Sequence, residues 1–555
     1  MVTESPLKYV STRGKSPAIG FENVLLAGLA PDGGLYVPES YPVFTPEQMR
    51  EMRSLDYAGL AAKVMAPFTD GCLSEQDLLE IARDAYGSFS HAAVAPLKQA
   101  ADALWVMELF YGPTLAFKDY ALQVVGRMFD KVLKRTGERI TIVGATSGDT
   151  GSAAIEACKN CDNLDIFILH PHNRVSEVQR RQMTTTIAPN VFNIALEGTF
   201  DDCQSIVKTL FSDEDFRSKY HLSAVNSINW ARIMAQVVYY FRAALALGAP
   251  DREVSFAVPT GNFGNIFAGY VAKRMGLPVK RLVLGSNEND ILPRFLETGV
   301  MEKREVRPSI SPSMDIQVSS NFERLLFEML DRNAAEVSRL METFKYEKSY
   351  QVPAATLEKI KQVFAGVRCS DAETKSEIGR VYAMCGEIVD PHSAIGFAAA
   401  EKFGEKEVPT IVLATAHPSK FPVPVREATG ITPALPSRLS DLNTISKRPE
   451  EKDNSHDRGN DGFEKRNARR HRHDERTGHG VAGRVGRRRF HVRAGGNQRH
   501  IAFAGTHGVQ RDDDPFRPPD RRRNRKRRRV HQRLHVARNH VLLHQSIERG
   551  HRFGG

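Results

Sequence analysis

The sequence contains no run of eighteen or more apolar residues, so nothing in it reads as a helix that crosses a membrane. Residues 1–10 lack the basic start and apolar centre of a secretory leader, which makes the cytoplasm the expected compartment. Cysteine is scarce: the six residues Cys72, Cys158, Cys161, Cys203, Cys369 and Cys385 are scattered over 555 positions, which excludes a disulfide-built domain. Cys158 and Cys161 form a C-x-x-C, but no second pair accompanies it, and the structural reading is preferred over metal or redox work. Neither G-x-G-x-x-G nor G-x-x-x-x-G-K-[ST] occurs in the glycine-rich turns discussed below, which argues against a nucleotide ligand there. A net positive charge is missing from most of the chain. Residues 449–555 hold 25 Arg and 3 Lys against 13 Asp plus Glu, a surplus of fifteen, so the overall +11 leaves residues 1–448 at −4. A net acidic body argues against nucleic-acid binding by that part of the chain.

Four stretches stand out, each an apolar run that ends in a polar or glycine-rich turn. They are ALWVMELFYGPTLAFKDYALQ (103–123), ITIVGATSGDTGSAA (140–154), VSFAVPTGNFGNIF (254–267) and TIVLATAHPSKF (410–421). Repeated in this way, they describe an open α/β sheet with a ligand across the carboxyl ends of its strands. In the first, Lys118 sits between Phe117 and Asp119 where an extended run gives way to helical periodicity. Lysine is the side chain that condenses with an aldehyde cofactor and afterwards serves as a base, and an apolar neighbour such as Phe117 favours its neutral form. In the second, Gly144, Gly148 and Gly151 allow close backbone approach while Thr146, Ser147 and Thr150 add hydroxyls ahead of a helix, which predicts an anion site. In the third, Gly261 and Gly264 bracket Asn262 and Phe263, and Asn265 opens a helix, so backbone N–H groups converge where a phosphate would sit.

These motifs, with STRGKSPAIGFENVLLAGLAPDGGLYVPE near the start, HPHNRVSEVQRRQMTT, SPSMDIQVSSNFERLLFEML and VDPHSAIGFAAAEKF, resemble the threonine synthases, a family of fold-type II pyridoxal 5′-phosphate enzymes. The resemblance covers residues 5–445. It implies a tryptophan synthase β-like fold of two α/β domains with the cofactor in the cleft between them, plus an N-terminal helical unit. The expected parts are an N-terminal unit at 1–100, a large cofactor-binding domain at 101–130 and 230–445, a small α/β domain at 131–229, and a tail at 446–555. It implies that Lys118 is the catalytic residue and that Lys118, Phe117, Gly261, Asn262, Phe263, Gly264, Asn265 and Thr415 bind pyridoxal 5′-phosphate. Thr146, Ser147, Gly148, Asp149 and Thr150 are implied to hold the substrate, with Asp149 where many relatives carry asparagine. Thr415 is implied to meet the pyridine nitrogen with a neutral hydroxyl. No metal is expected.

The implied reaction converts O-phospho-L-homoserine and water to L-threonine and phosphate, the last step of threonine biosynthesis. The alternative on the same scaffold is a phospho-lyase that releases 2-oxobutyrate. Arg174, Lys273 and Arg324 are cations for the substrate phosphate that the sequence offers without deciding among them, and His392 either lines the cleft or is structural. His170 and His172 read as a turn. Ser319, Ser320 and Asn321 read as a helix cap, and the family pattern is expected to stop shortly after Leu442. The tail's abrupt shift to arginine with almost no lysine, together with 12 of the 18 histidines, is the composition of GC-rich DNA read out of frame, which places a frameshift near Glu451. The competing reading is an arginine-rich nucleic-acid-binding extension; on the frameshift reading the tail adds only nonspecific polyanion binding.

Overall fold

A computed structural model describes residues 6–443 and 451–452, and the frameshift reading of the tail falls outside them, apart from those two residues. No helix among the described residues is long and apolar enough to cross a membrane. Two sheets organise this part of the chain. The larger has six strands in the order Phe364–Arg368, Val279–Ser286, Val254–Pro259, Thr410–Ala414, Leu104–Glu108 and Leu97–Ala101. All neighbours are parallel except the last pair, which forms a hairpin. Val254–Pro259 and Thr410–Ala414 are buried at every position, as expected for central strands covered on both faces, and this is why they read as unbroken apolar runs.

The smaller sheet is wholly parallel, with the order Glu451–Lys452, Val191–Leu196, Leu164–Pro171, Ile140–Ala145 and Leu222–Ser223. Two outcomes differ from the sequence reading. The Leu164–Pro171 strand continues through His170 and Pro171, so the expected turn begins only at His172, which pairs with Glu197 at 2.6 Å. Glu451 and Lys452, read from sequence as part of the tail, lie beside Ile194 and Ala195 at the sheet's edge.

Before the first of these strands, short helices build a packing unit. Pro46–Met52 and Glu75–Gly87 start at capping boxes led by Thr45 and Ser74, so local hydrogen bonding fixes where they begin. From the second of these, Tyr86 joins a chain of rings, Tyr57, Tyr86, Tyr120 and Tyr239, that runs into the long helices Lys118–Thr136 and Trp230–Ala246. Tyr86 donates to the carbonyl of Tyr120 at 3.0 Å, tying the N-terminal unit to the helix that begins at the lysine.

The Lys118–Thr136 helix also lies against Asp149–Cys158, the helix that follows the second glycine loop. Contact is closest at Gly126, where an added Cβ would stand 2.5 Å from the backbone oxygen of Ala157. That oxygen is part of a helix and cannot rotate away, so Gly126→Ala should push the two helices apart. We expect a loss of about 1–3 kcal/mol in unfolding free energy, read as a lower denaturation midpoint; an unchanged midpoint would show that the helices accommodate the methyl group.

Candidate active site

The lysine is delivered by a loop zippered to a neighbouring strand end. Phe117 N–H donates to the Thr415 carbonyl at 2.9 Å and His417 N–H donates to the Leu115 carbonyl at 3.0 Å, around the bridge between Ala116 and Ala416. This pairing sets Lys118 beside Thr415 although almost 300 residues of chain separate them. Asp119 secures the loop from inside, since Thr114 donates to it with both its N–H (2.8 Å) and its hydroxyl (2.9 Å). The Thr114 carbonyl in turn accepts from Gln182 at 3.1 Å and from Lys420 at 2.8 Å.

A cleft of about 680 Å³, open to solvent, lies at the carboxyl ends of these strands. Phe117, Lys118, Asp149, Thr150, Gly261, Asn262, Phe263, Gly264, Asn265 and Thr415, all singled out from sequence, line it together. Arg232, Ser227, Ser313 and His392 line it as well. Thr146 does not. Its hydroxyl accepts from Gly148 N–H (3.0 Å) and Gly151 N–H (2.8 Å), so it shapes the loop from behind instead of facing a ligand. Gly148 takes φ of 137° with the Gln179 side chain against it, a conformation and a space that only glycine fills easily, and Ser147 is half-buried at the same turn.

Lys118 Nζ lies 3.0 Å from Asp149 Oδ2 and 3.5 Å from Ser313 Oγ. Burial pushes the Lys118 amine below the usual lysine range, and Asp149 opposes that shift without cancelling it. Phe117 lies 4.9 Å from the same nitrogen, which is cation–π distance; its ring favours the charged form, so burial and not Phe117 carries the shift toward neutrality. Burial also works against the Asp149 carboxylate, but the ammoniums of Lys118 and Lys420 and a hydrogen bond from Gln179 outweigh it and hold the group well below the usual range. An ionised carboxylate has the wrong sign to receive a substrate carboxylate, so Asp149 differs in kind from the hydroxyl and amide donors around it.

The third loop is built for an anion. Phe263 takes φ of 62°, and the Gly264–Arg274 helix begins directly after it with its N–H groups facing the cleft. Ser319 donates to the Gly261 carbonyl at 2.7 Å and Asn321 donates to that of Asn262 at 3.1 Å. Ser319 and Asn321, read from sequence as capping residues, thus brace this loop, and Asn321 makes no side-chain cap of its own helix. Two buried donors in the cleft, Asn265 Nδ2 and Arg232 Nε, have no hydrogen-bond partner among the described residues. The Asn265 donor at a helix N-terminus, in the same cleft as a buried amine, fits a phosphorylated aldehyde such as pyridoxal 5′-phosphate, and the Arg232 donor leaves room for a second anion.

The other cations offered by the sequence are elsewhere. Arg324 is fully buried and spends its guanidinium on the carbonyls of Tyr36 and Ile228, Lys273 donates to the Val279 carbonyl, and Arg174 is exposed. Arg232 and Lys420 were missed. Arg232 had a legible signal, a charged residue inside the apolar run WARIMAQVVYYF, whereas Lys420 reads as part of an ordinary turn. His392 is resolved: Ser313 N–H can only donate, so Nε2 accepts at 3.3 Å and the proton sits on Nδ1, bonded to Asp390 at 2.6 Å.

Comparisons with known proteins bear directly on this cleft. Residues 8–86 match the model for the threonine synthase N terminus, 91–345 that for pyridoxal-phosphate-dependent enzymes, and 393–459 that for the threonine synthase C-terminal region. A threonine synthase from Pseudomonas aeruginosa is 56% identical over 438 residues, which is 79% of this chain and 93% of that one. The chain belongs to the threonine synthase family. A pyridoxal-phosphate-bound threonine synthase from Brucella melitensis superposes with a TM-score of 0.77 at 55% identity, over 80% of this chain and 95% of that one. A yeast threonine synthase gives 0.75 at 40% identity, over 80% and 95%. The C-terminal family match runs to 459, so the family pattern continues past Leu442, where the sequence reading ended it.

Burial raises the Asp119 carboxyl to about 6 against the hydrogen bonds from Thr114. The folded protein therefore keeps this proton to higher pH than the unfolded chain does, and the group's contribution to stability falls as pH rises from about 4 to about 6. Asp119→Asn cannot ionise. Measured against the parent by denaturant unfolding, it should remove a decline of roughly 2 kcal/mol across that window; parallel profiles for the two proteins would contradict the assignment.

Proposed function

We propose that this member of the family uses pyridoxal 5′-phosphate, held at Lys118, to convert O-phospho-L-homoserine and water to L-threonine and phosphate. The observation that carries the reading is a buried lysine amine, shifted toward its neutral form, in the same cleft as a helix-start loop with an orphan donor on Asn265. Residues 261–265 hold the cofactor phosphate through backbone N–H groups and the Asn265 amide. When bound, the cofactor supplies the electron sink that acidifies the substrate's Cα–H. Thr415, which lines the cleft, would offer the cofactor's ring nitrogen a neutral hydroxyl, which would keep that sink weak and favour elimination over transamination.

The substrate brings a second phosphate. Arg232, which lines the cleft with an Nε that has no partner among the described residues, is our candidate to receive it, and a guanidinium's planar fork suits a phosphate. Thr150 and the N–H groups at the start of its helix take the α-carboxylate. Lys118 would be the base that takes the substrate's Cα proton. Its lowered proton affinity matters here because a permanently charged ammonium cannot act as a base.

Borohydride reduction followed by peptide mapping should place the cofactor on Lys118, and Lys118→Ala should keep its fold while losing the absorbance expected at roughly 410 nm for this cofactor class. A label on another lysine would overturn the site. Thr415→Asp should lower the ratio of threonine to abortive products; an unchanged ratio with intact cofactor binding would remove Thr415 from the ring nitrogen.

We infer further that the sequence beyond 459 contributes nothing to catalysis. The relatives are spanned over 93–95% of their own length while a fifth of this chain stays unmatched, in keeping with foreign sequence added to a complete catalytic body. A chain ending at 459 should retain the visible absorbance and threonine formation of the full chain, and loss of both would make the tail part of the enzyme.

A further inference from the structure

Lys420 is a second lysine in the core of the site, with a side chain that has no solvent exposure. Its Nζ lies 2.6 Å from Asp149 Oδ1 and donates to the Thr114 carbonyl at 2.8 Å. Gln179 donates to the same Asp149 oxygen at 2.7 Å, while Oδ2 is left for Lys118 at 3.0 Å and Ser313 at 3.3 Å. The carboxylate is thus divided, one oxygen fixed from behind and the other turned to the reacting amine.

Charge accounting gives this division a purpose. Asp149 is buried, and a buried carboxylate needs a cation to stay ionised. Lys118 cannot supply it throughout, because on the reading above its amine is used covalently and must be neutral when it takes a proton. We propose that Lys420 is a positioning residue, whose fixed ammonium keeps Asp149 ionised and aimed at Lys118 Nζ through the stages in which Lys118 carries no charge. Lys420 is suited to this because it takes no part in lining the cleft and is anchored to the lysine loop by the Thr114 carbonyl. The proposal rests on Lys118 being the cofactor-bound lysine.

Among the described residues, the charged or titratable groups that surround the pair include Arg232, Asp119, Glu156, Asp315, Asp390, His392, His417 and Arg438. None bonds to Asp149. Arg232 and Lys420 both lower the proton affinity of Lys118, and burial holds His417 near 4, so it is neutral across the working range.

The test is a pH titration of the visible absorbance of the holoenzyme, which reads protonation at the Lys118 nitrogen without turnover. Lys420→Met keeps similar bulk and removes the charge. Asp149 then leans on Lys118 alone, and a like charge nearby is lost, so the titration midpoint should rise by about one unit, a tenfold change. Asp149→Asn should move it the opposite way, because the amide no longer favours the proton. An unmoved midpoint in a folded Lys420→Met protein overturns the proposal, since a merely structural lysine would cost stability and leave the midpoint in place. Should Lys420→Met fail to fold, Asp149→Asn decides: a fall in midpoint supports the divided carboxylate and no change overturns it. Peptide mapping of the reduced parent enzyme keeps the two readings apart, because a label elsewhere than Lys118 defeats the site assignment before Lys420 is examined.

Discussion

Two backbone hydrogen bonds, Phe117 N–H to Thr415 O and His417 N–H to Leu115 O, join the loop after one central strand to the loop after its neighbour. Everything at the site depends on that zipper. Lys118 is the first residue of its helix, so its direction is set by the loop, and the loop is set by Thr415–His417 outside and by Asp119, Gln182 and Lys420 inside. The same segment that pairs with the lysine loop carries Thr415 to the cleft and, five residues later, Lys420 to the back of Asp149. A single turn therefore positions three participants, and a change in strand order at the sheet centre would separate them.

Burial then does the chemistry's preparatory work. Lys118, Asp149, Arg232 and Lys420 are buried, and each responds according to its partners: the amine moves toward neutrality, the carboxylate is held ionised by two ammoniums and the Gln179 amide, and burial lowers the guanidinium to about 10. These shifts are directional consequences of one arrangement, a cleft floor in which cations outnumber anions. Such a floor suits a site that must receive a phosphorylated cofactor and a phosphorylated substrate together.

The order in which these features could be read from sequence follows from how local they are. The glycine loops and the lysine junction each lie within a dozen residues, as a strand, a turn and a helix start, so Lys118, Gly261–Asn265 and Thr415 were legible. Asp149 was seen but grouped with its hydroxyl-bearing neighbours, because its two lysine partners sit 31 positions before it and 271 after it. Thr146 looked like a ligand because a hydroxyl in a glycine turn is ambiguous until its acceptor role toward Gly148 and Gly151 is known. Ser319 and Asn321 looked like caps for the same reason: short polar side chains before a helix serve either their own helix or a loop that tertiary structure brings near. Lys420 had no local signal at all.

The central claim is that this cleft routes a phosphorylated amino acid to a hydroxylated product by adding water at Cβ. It is tested most directly by incubating the holoenzyme with O-phospho-L-homoserine in oxygen-18 water and following the products by mass spectrometry. The account predicts one threonine for each phosphate released, with the heavy oxygen in the threonine hydroxyl. Release of phosphate with 2-oxobutyrate in place of threonine would contradict it, and so would threonine whose hydroxyl lacks the label.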